Sequence, residues 1–227
     1  MPNNLNNIKL IIFDVNETMF SLNRISNIFN KFGLPNYSTS IWFSNVLKEG
    51  FASINYSNFN SFKKICVNEL QRLFLKFKFR YTKEHIDKVI NEFSQLDVHE
   101  DVKESVKLLY NHNIKIVTLT NGSKENTLKL LKKNKLSKYI KRCFSIDEIK
   151  LWKPNKKTYL YVCKEMRILP SNALMIAAHS WDVTGAKNAG LKTAYITRYE
   201  KKLSTIHPKP DIIKKDCLSI IKQIKFN

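Results

Sequence analysis

Acidic residues are scarce in this chain of 227. Asp and Glu number 19 against 39 Lys and Arg, a formal net charge of +20. Glycine (5) and cysteine (4) are also rare. The four thiols, Cys66, Cys143, Cys163 and Cys217, form no CxxC, and none lies at metal-ligand spacing from a histidine. They read as reduced thiols in a cytosolic protein. No run of about 18 apolar residues occurs, so no segment is suited to spanning a membrane. The opening MPNNLNNIKLIIFD lacks the charged start, long apolar stretch and small-residue cleavage site of a signal peptide, so the expected location is cytoplasmic.

Apolar residues make up 43% of the chain, too many for a disordered basic tail. The length fits one medium domain, or a core domain carrying a smaller insert. The charge by itself would suit nucleic acid or an anionic membrane. However, 33 of the 39 cations are Lys, and they are spread along the whole chain. Asn and Ile are equally inflated, at 24 each, which points to drift towards AT-rich codons. We read the lysines as a solvated coat and expect neither a nucleic-acid nor a membrane partner.

Residues 8–13 (IKLIIF) are a nearly continuous β-branched and aromatic run, the signature of a strand buried on both faces. Residues 21–96 change to apolar positions at helical spacing, with no convincing strand. Alternation then resumes. Helices are expected at 102–110, 125–133, 156–166, 182–189 and 217–224, and strands at 114–119, 143–146, 174–178, 193–196 and 211–213. Such alternation predicts an α/β fold, a Rossmann-like parallel sheet. The helical block falls after strand one, so the core is expected to be discontinuous (1–20 and 99–227), with residues 21–98 inserted as a helical cap. The Asn/Ser-rich stretch 55–61 is the one low-complexity candidate.

In an open parallel sheet, ligands bind beyond the carboxyl ends of the strands. The residues after successive strands are Asp14-Val15-Asn16-Glu17-Thr18, then Thr120-Asn121-Gly122-Ser123, then Lys153-Pro154, then His179-Ser180-Trp181-Asp182. An Asp at one strand end is usually only a turn or cap residue. A set of this composition, converging on one edge, is a site candidate. Three of the five glycines, Gly122, Gly185 and Gly190, fall in or beside these segments.

These segments resemble the four motifs of the haloacid dehalogenase superfamily: FDVNET, LTNGS, Lys153-Pro154 and AAHSWDVTGAKNAG. Nearly the whole chain takes part in the resemblance. Tyr159, six residues beyond Lys153, Asn121 after Thr120, and the WDxxGA run from Trp181 are similar to the type II L-2-haloacid dehalogenases. The resemblance implies Asp14 as nucleophile, Asp182 as the acid of the fourth motif, and a substrate contact at Asn121. It places Tyr159 in the pocket. It further implies a homodimer among the family's assemblies, a small 2-haloacid as substrate, and no cofactor.

The second position after the nucleophile separates two reaction classes. Phosphatases of the superfamily carry Asp there as a proton donor, and they hold Mg²⁺. Here it is Asn16, which does no acid–base work. Halide leaves as a stable anion and needs no proton. The expected reaction is therefore displacement at C2 of a short L-2-haloalkanoate by Asp14, then hydrolysis of the aspartyl ester to the 2-hydroxy acid. The alternative is another hydrolase of the superfamily, such as a small-molecule phosphatase, and only that reading calls for Mg²⁺. Lys153 would hold Asp14 ionised. Thr18 and Thr120 would hydrogen-bond its oxygens, and amides near Asn121 and Gly122 would take the substrate carboxylate.

Some positions depart from the family pattern. Its usual halide-binding cap Arg is replaced, in Ile41-Trp42-Phe43-Ser44, by Phe43. With Trp42 and Trp181, Phe43 is a candidate pocket aromatic. Glu17 stands where Gly is commoner, and His179 where Asn is usual. A subset of the family resembles this chain at both positions, which implies a His179/Glu17 pair that activates the hydrolytic water.

Overall fold

The computed structural model describes residues 7–55 and 58–225. The core is a six-stranded sheet of β1 (Leu10–Phe13), β4 (Lys115–Thr120), β5 (Arg142–Ser145), β6 (Ala173–Ala177), β7 (Lys192–Ile196) and β8 (Ile212–Lys214). The strand order is β5-β4-β1-β6-β7-β8, with every pairing parallel. This is the expected Rossmann-like α/β sheet. The chain builds outwards from β1 to β5, then crosses back to place β6 on the other flank of β1. The carboxyl end of β1 is therefore the switch point of the topology, where such sheets bind ligands.

Side chains alternate across the sheet with the period of two that strands impose. Leu10 and Ile12 pack with Met175, Tyr159 and Val162 on one face. Ile11 and Phe13 pack with Leu174, Ile176 and Val106 on the other. The first face is covered by α8 (Lys156–Met166) and α9 (Ser180–Asn188). The second is covered by α5 (Glu100–Asn111), α6 (Lys124–Lys133) and α10 (Cys217–Ile221). A single turn, α7 (Ile146–Ile149), follows β5 through a reciprocal Ser145/Glu148 cap. Coverage on both faces is why β1 and β6 read as unbroken apolar runs.

The helical block comprises α1 (Asn23–Lys31), α2 (Ser38–Ala52), α3 (Phe62–Lys76) and α4 (Lys83–Glu92). It is entered and left through two two-residue strands, β2 (Phe20–Ser21) and β3 (Asp97–Val98), which pair antiparallel. Two residues carry no readable period, so this pair leaves no trace in the sequence pattern. The block packs around aromatics: Phe29 edge-on to Trp42, Phe62 edge-on to Phe93. It rests on the core at Trp152, whose ring fills the space above Gly50 and whose Nε1 donates to the Asn60 carbonyl at 2.8 Å. Part of the 55–61 stretch, residues 56–57, lies outside the described residues. Among the described residues, no helix is long and apolar enough to cross a membrane.

Gly185 sets how closely α9 approaches the loop after Lys153. A Cβ there would lie 2.5 Å from the Pro154 carbonyl oxygen and 2.7 Å from the Tyr159 hydroxyl. Backbone on one side and a buried ring on the other cannot yield cheaply. Gly185→Ala is expected to lower stability by about 1–3 kcal/mol, read as a lower urea midpoint at unchanged slope.

Candidate active site

β1 ends at Phe13 and delivers Asp14 to the carboxyl edge, buried at 5% exposure. The chain then doubles back tightly. The Met19 and Phe20 amides both donate to the Val15 carbonyl, and Asn16 bridges to Phe20. Inside this turn Glu17 adopts φ +62°. A non-glycine residue there carries strain on the order of 1–2 kcal/mol. A Gly at this position would adopt the same φ without strain. The Glu side chain is thus held at a backbone cost.

Lys153 is the centre of the site, fully buried. Its Nζ donates to Asp14 Oδ1 at 2.8 Å, to Asp182 Oδ2 at 2.6 Å and to the Leu119 carbonyl at 3.1 Å. All three ammonium protons are thereby used. Burial would push this ammonium down, but the two carboxylates hold it above the ordinary lysine range. Burial would likewise raise Asp14, yet the Lys153 charge and His179 outweigh it and hold that carboxyl far below the ordinary range. For the deeper Asp182, burial and the Asp14 charge push upwards while Lys153 and Tyr159 pull down. Asp182 lies in the first turn of α9, so it meets both the helix N-terminus and Lys153.

On the other side of Asp14, Thr18 Oγ1 donates to Oδ2 at 2.7 Å and accepts from the Ala178 amide at 2.9 Å. His179 Nδ1 stands 3.4 Å from the same Oδ2, and its Nε2 is 2.8 Å from Glu17 Oε2. Burial would depress this imidazole, but the neighbouring Asp14 and Glu17 carboxyl groups push it up to about 10, Glu17 through a hydrogen bond and Asp14 at ion-pair distance. His179 therefore lies between two carboxyl groups, both of which favour its protonated form. Trp181 stacks on its ring at 5.3 Å, and Lys153 Nζ lies 5.4 Å from the Trp181 centroid. From α2, Phe51 meets Trp181 edge-on at 5.0 Å.

Other expected residues take different places. Thr120 Oγ1 accepts from the Gly122 amide at 2.8 Å; it shapes the turn, and no bond to Asp14 is seen. That bond also occupies the Gly122 amide, an expected donor for a substrate carboxylate. Asn121 Oδ1 accepts from the Lys153 amide at 3.0 Å, while its buried Nδ2 has no partner. Tyr159 is enclosed behind the site and donates to Asp182 Oδ1 at 2.6 Å, so it holds an acid rather than lining a pocket. Trp42 donates to the Cys66 carbonyl and Phe43 packs on Phe62. Both are buried in the helical block, and neither borders the cavity in front of Asn16 and Thr120. Their apolar character is explained by packing.

Two supports have no signal in the sequence. Arg198 donates to the Thr18 carbonyl at 2.6 Å, 180 residues away, and is itself anchored on Asp101. Glu200 accepts from the Ser180 amide through both carboxylate oxygens, fixing the backbone next to His179.

The arrangement offers a desolvated carboxyl group at a strand end, held below its ordinary range by a lysine ammonium and a histidine on either side, and a free amide donor at Asn121. A divalent cation does not suit it. Asp182 spends both oxygens on Lys153 and Tyr159, Asp14 faces Lys153 and His179, and the neighbouring position is the neutral Asn16. Among the described residues, no group of three or more His, Cys, Asp or Glu is placed to hold a metal ion.

A doubly wound parallel sheet with an aspartate at its switch point and a helical insert defines a Rossmann-like α/β architecture. The family profile for haloacid dehalogenase-like hydrolases matches residues 11–196, and the chain belongs to that family. Among characterised relatives, (S)-2-haloacid dehalogenase 4A of Burkholderia cepacia is 27% identical over 112 residues, 49% of this chain and 48% of that one. The chain thus spans about half the length of that relative. (S)-2-haloacid dehalogenase 1 of Pseudomonas sp. (strain CBS-3) is 21% identical over 86% of both chains. Pyrophosphatase PpaX of Halalkalibacterium halodurans is 24% identical over 83% of both. Among solved structures, the L-2-haloacid dehalogenase of Xanthobacter autotrophicus superposes with a TM-score of 0.86 at 17% identity, over 96% of this chain and 98% of that one. At that identity the likeness speaks for the fold.

His179 also makes a prediction about pH. Its pKa is raised on folding, so its stabilisation is complete below the unfolded value near 6.5 and is lost as pH climbs towards about 10. The stability gap between wild type and His179→Asn is expected to narrow over that window by on the order of a few kcal/mol, measured by urea unfolding at each pH. A gap constant from pH 6 to 10 would contradict the doubly paired imidazolium.

Proposed function

We propose that this hydrolase dehalogenates L-2-haloalkanoic acids, with helices α1–α4 as a cap over the site. The observation that carries the reading is the placement of two basic side chains on Asp14: Lys153 Nζ 2.8 Å from one oxygen and His179 Nδ1 3.4 Å from the other. With Asn16 alongside, the nucleophile is held by basic groups, and the second position after it carries a neutral amide that does no acid–base work.

Asp14 attacks C2 from behind as halide departs with the bonding pair, leaving a neutral aspartyl ester and inverted C2. Its low basicity is offset by removal from water. Asn121 Nδ2 supplies a donor to the bound acid. Ester formation removes one of the two negative charges that keep His179 protonated. A protonated His179 can then release its Nδ1 proton to solvent, the one proton of the overall reaction, while Nε2 keeps its own on the 2.8 Å bond to Glu17, and Nδ1, facing the ester, becomes a base. Water attacks the ester carbonyl carbon and gives a proton to Nδ1. The acyl carbon–oxygen bond breaks, and the 2-hydroxy acid leaves with a proton returned from His179. Overall, haloacid and water give hydroxy acid, halide and one proton. The strained Glu17 backbone fits this role, because a Gly would relieve the strain but remove the carboxylate that holds Nε2–H and orients the ring.

The relatives named pyrophosphatases bring a second reading, a phosphatase requiring Mg²⁺. The donor set at Asp14 and Asp182 weighs against it.

Halide release from L-2-chloropropionate and bromoacetate is expected to survive EDTA and to vanish in Asp14→Asn. Release that persists in Asp14→Asn would overturn the mechanism, and loss on chelation would favour the phosphatase. In His179→Asn, alkylation should continue while hydrolysis slows by roughly 10²–10⁴-fold. The ester on Asp14 should then accumulate and be seen by mass spectrometry; unchanged turnover would remove His179 from the chemistry.

A further inference from the structure

His179 occupies the residue before the first turn of α9, where a short polar side chain usually accepts a helix amide. Its ring is turned to Asp14 and Glu17 instead and caps nothing. Glu200, from the turn after β7, takes over the cap. Its carboxylate meets the Ser180 amide through Oε1 at 3.2 Å and Oε2 at 3.1 Å, and Oε2 also accepts from the Tyr195 hydroxyl at 2.9 Å. An acid suits a helix N-terminus, and the peptide it holds is the one that joins His179 to Ser180. Two residues earlier in the same turn, Arg198 donates to the Thr18 carbonyl at 2.6 Å, one peptide beyond Glu17. Its guanidinium also grips both oxygens of Asp101, at 2.6 and 2.5 Å, and Asp101 in turn accepts from the Cys217 amide at 2.8 Å. Between the two, the Tyr199 ring lies edge-on to His99 at 6.5 Å, and burial together with the nearby Glu17 carboxyl group pushes its hydroxyl up to about 12.

From one turn, Arg198 and Glu200 thus reach the backbones on both sides of the 2.8 Å contact between Glu17 and His179. Those backbones follow different strands, β1 and β6. Glu17 stands at φ +62°, a conformation that persists only where the surroundings over-determine it. We propose that Arg198 and Glu200 are positioning residues for the hydrolytic step: the turn after β7 sets how Glu17 and His179 stand to each other, and so how His179 faces the ester on Asp14. The two differ in reach. Glu200 meets the His179 side, so it bears on ester hydrolysis and not on displacement of halide. Arg198 holds the carbonyl of Thr18, whose hydroxyl bonds Asp14 at 2.7 Å, so it bears on both steps. This rests on the dehalogenase reading, with its Glu17/His179 pair, and adds two residues that touch no reacting atom.

The test follows the rise and then the decay of the ester on Asp14 by rapid-quench mass spectrometry with L-2-chloropropionate. Both rate constants are independent of the fraction of enzyme that is folded. In Glu200→Ala the decay should slow by roughly 10–100-fold while the rise changes less than about twofold. Glu200→Gln, which keeps one acceptor oxygen and loses the charge, should recover part of the decay rate; where the alanine variant does not fold, it carries the same test with a smaller slowing. Arg198→Lys keeps the cation but not the fork, and should slow both rise and decay. Added to His179→Asn, Glu200→Ala should slow the decay no further, because it acts through that ring. If the Glu200 variants lower the urea midpoint but leave the decay unchanged, or slow rise and decay alike, Glu200 only braces the fold; the proposal fails and the dehalogenase reading stands. An additive loss in the double variant overturns it as well. If the ester of His179→Asn decays at the wild-type rate, the Glu17/His179 pair has no part in hydrolysis and the proposal falls with it. If the wild type forms no ester and releases no halide, it is the dehalogenase reading that fails.

Discussion

A lysine ammonium with no exposure to water can exist in a folded protein only if its charge is answered on every side. Lys153 meets that condition through Asp14, Asp182 and the Leu119 carbonyl. Those partners arrive on three different elements: the turn after β1, the first turn of α9, and the end of β4. The ammonium therefore ties the sheet edge together, and the site and the register of its scaffold are stabilised by one interaction. Removing the cation would strand two buried carboxylates, which is far more costly than losing an exposed ion pair.

Around that centre the structure places supports in sequence. Tyr159 and the helix N-terminus hold Asp182. Thr18, bonded to the Ala178 amide, holds Asp14, and Arg198 holds the Thr18 carbonyl. Trp181 lies between His179 and Phe51 of α2, so the ring beside the proposed base also touches the inserted helices. Each support satisfies a polar group that the buried site would otherwise leave unpaired.

The charge of the whole molecule belongs to a different account. Of 33 lysines, one is enclosed at the centre of the site, while others, such as Lys103 and Lys129, lie in exposed pairs that contribute little. The inserted block owes its stability to aromatic packing: Phe29, Trp42 and Phe93 interlock there, and Trp42 and Phe43 are explained by that role. An aromatic at helical spacing looks the same in sequence whether it faces a ligand or a core, because periodicity reports only which side of the helix is apolar.

The strands at the sheet centre were legible because burial on both faces demands unbroken apolar runs, and the carboxyl-edge residues followed from topology: Asp14, Lys153, His179 and Asp182 are all near one another. By contrast, β2 and β3 are too short to show a period. Thr120 bonds a neighbouring amide, and Tyr159 faces Asp182 rather than open space, because hydrogen-bond partners depend on where other segments arrive. Arg198 and Glu200 carry no local signal, since their partners lie far away in the chain or on another element. The residue types alone determined the α/β alternation, the family and the exclusion of an acid at position 16. Only the tertiary structure decided that Glu17 sits at positive φ, that His179 lies between two carboxyl groups, and that a cavity lies in front of Asn16. A pKa, a backbone strain and an empty volume are set by distances between residues that the order of the chain does not contain.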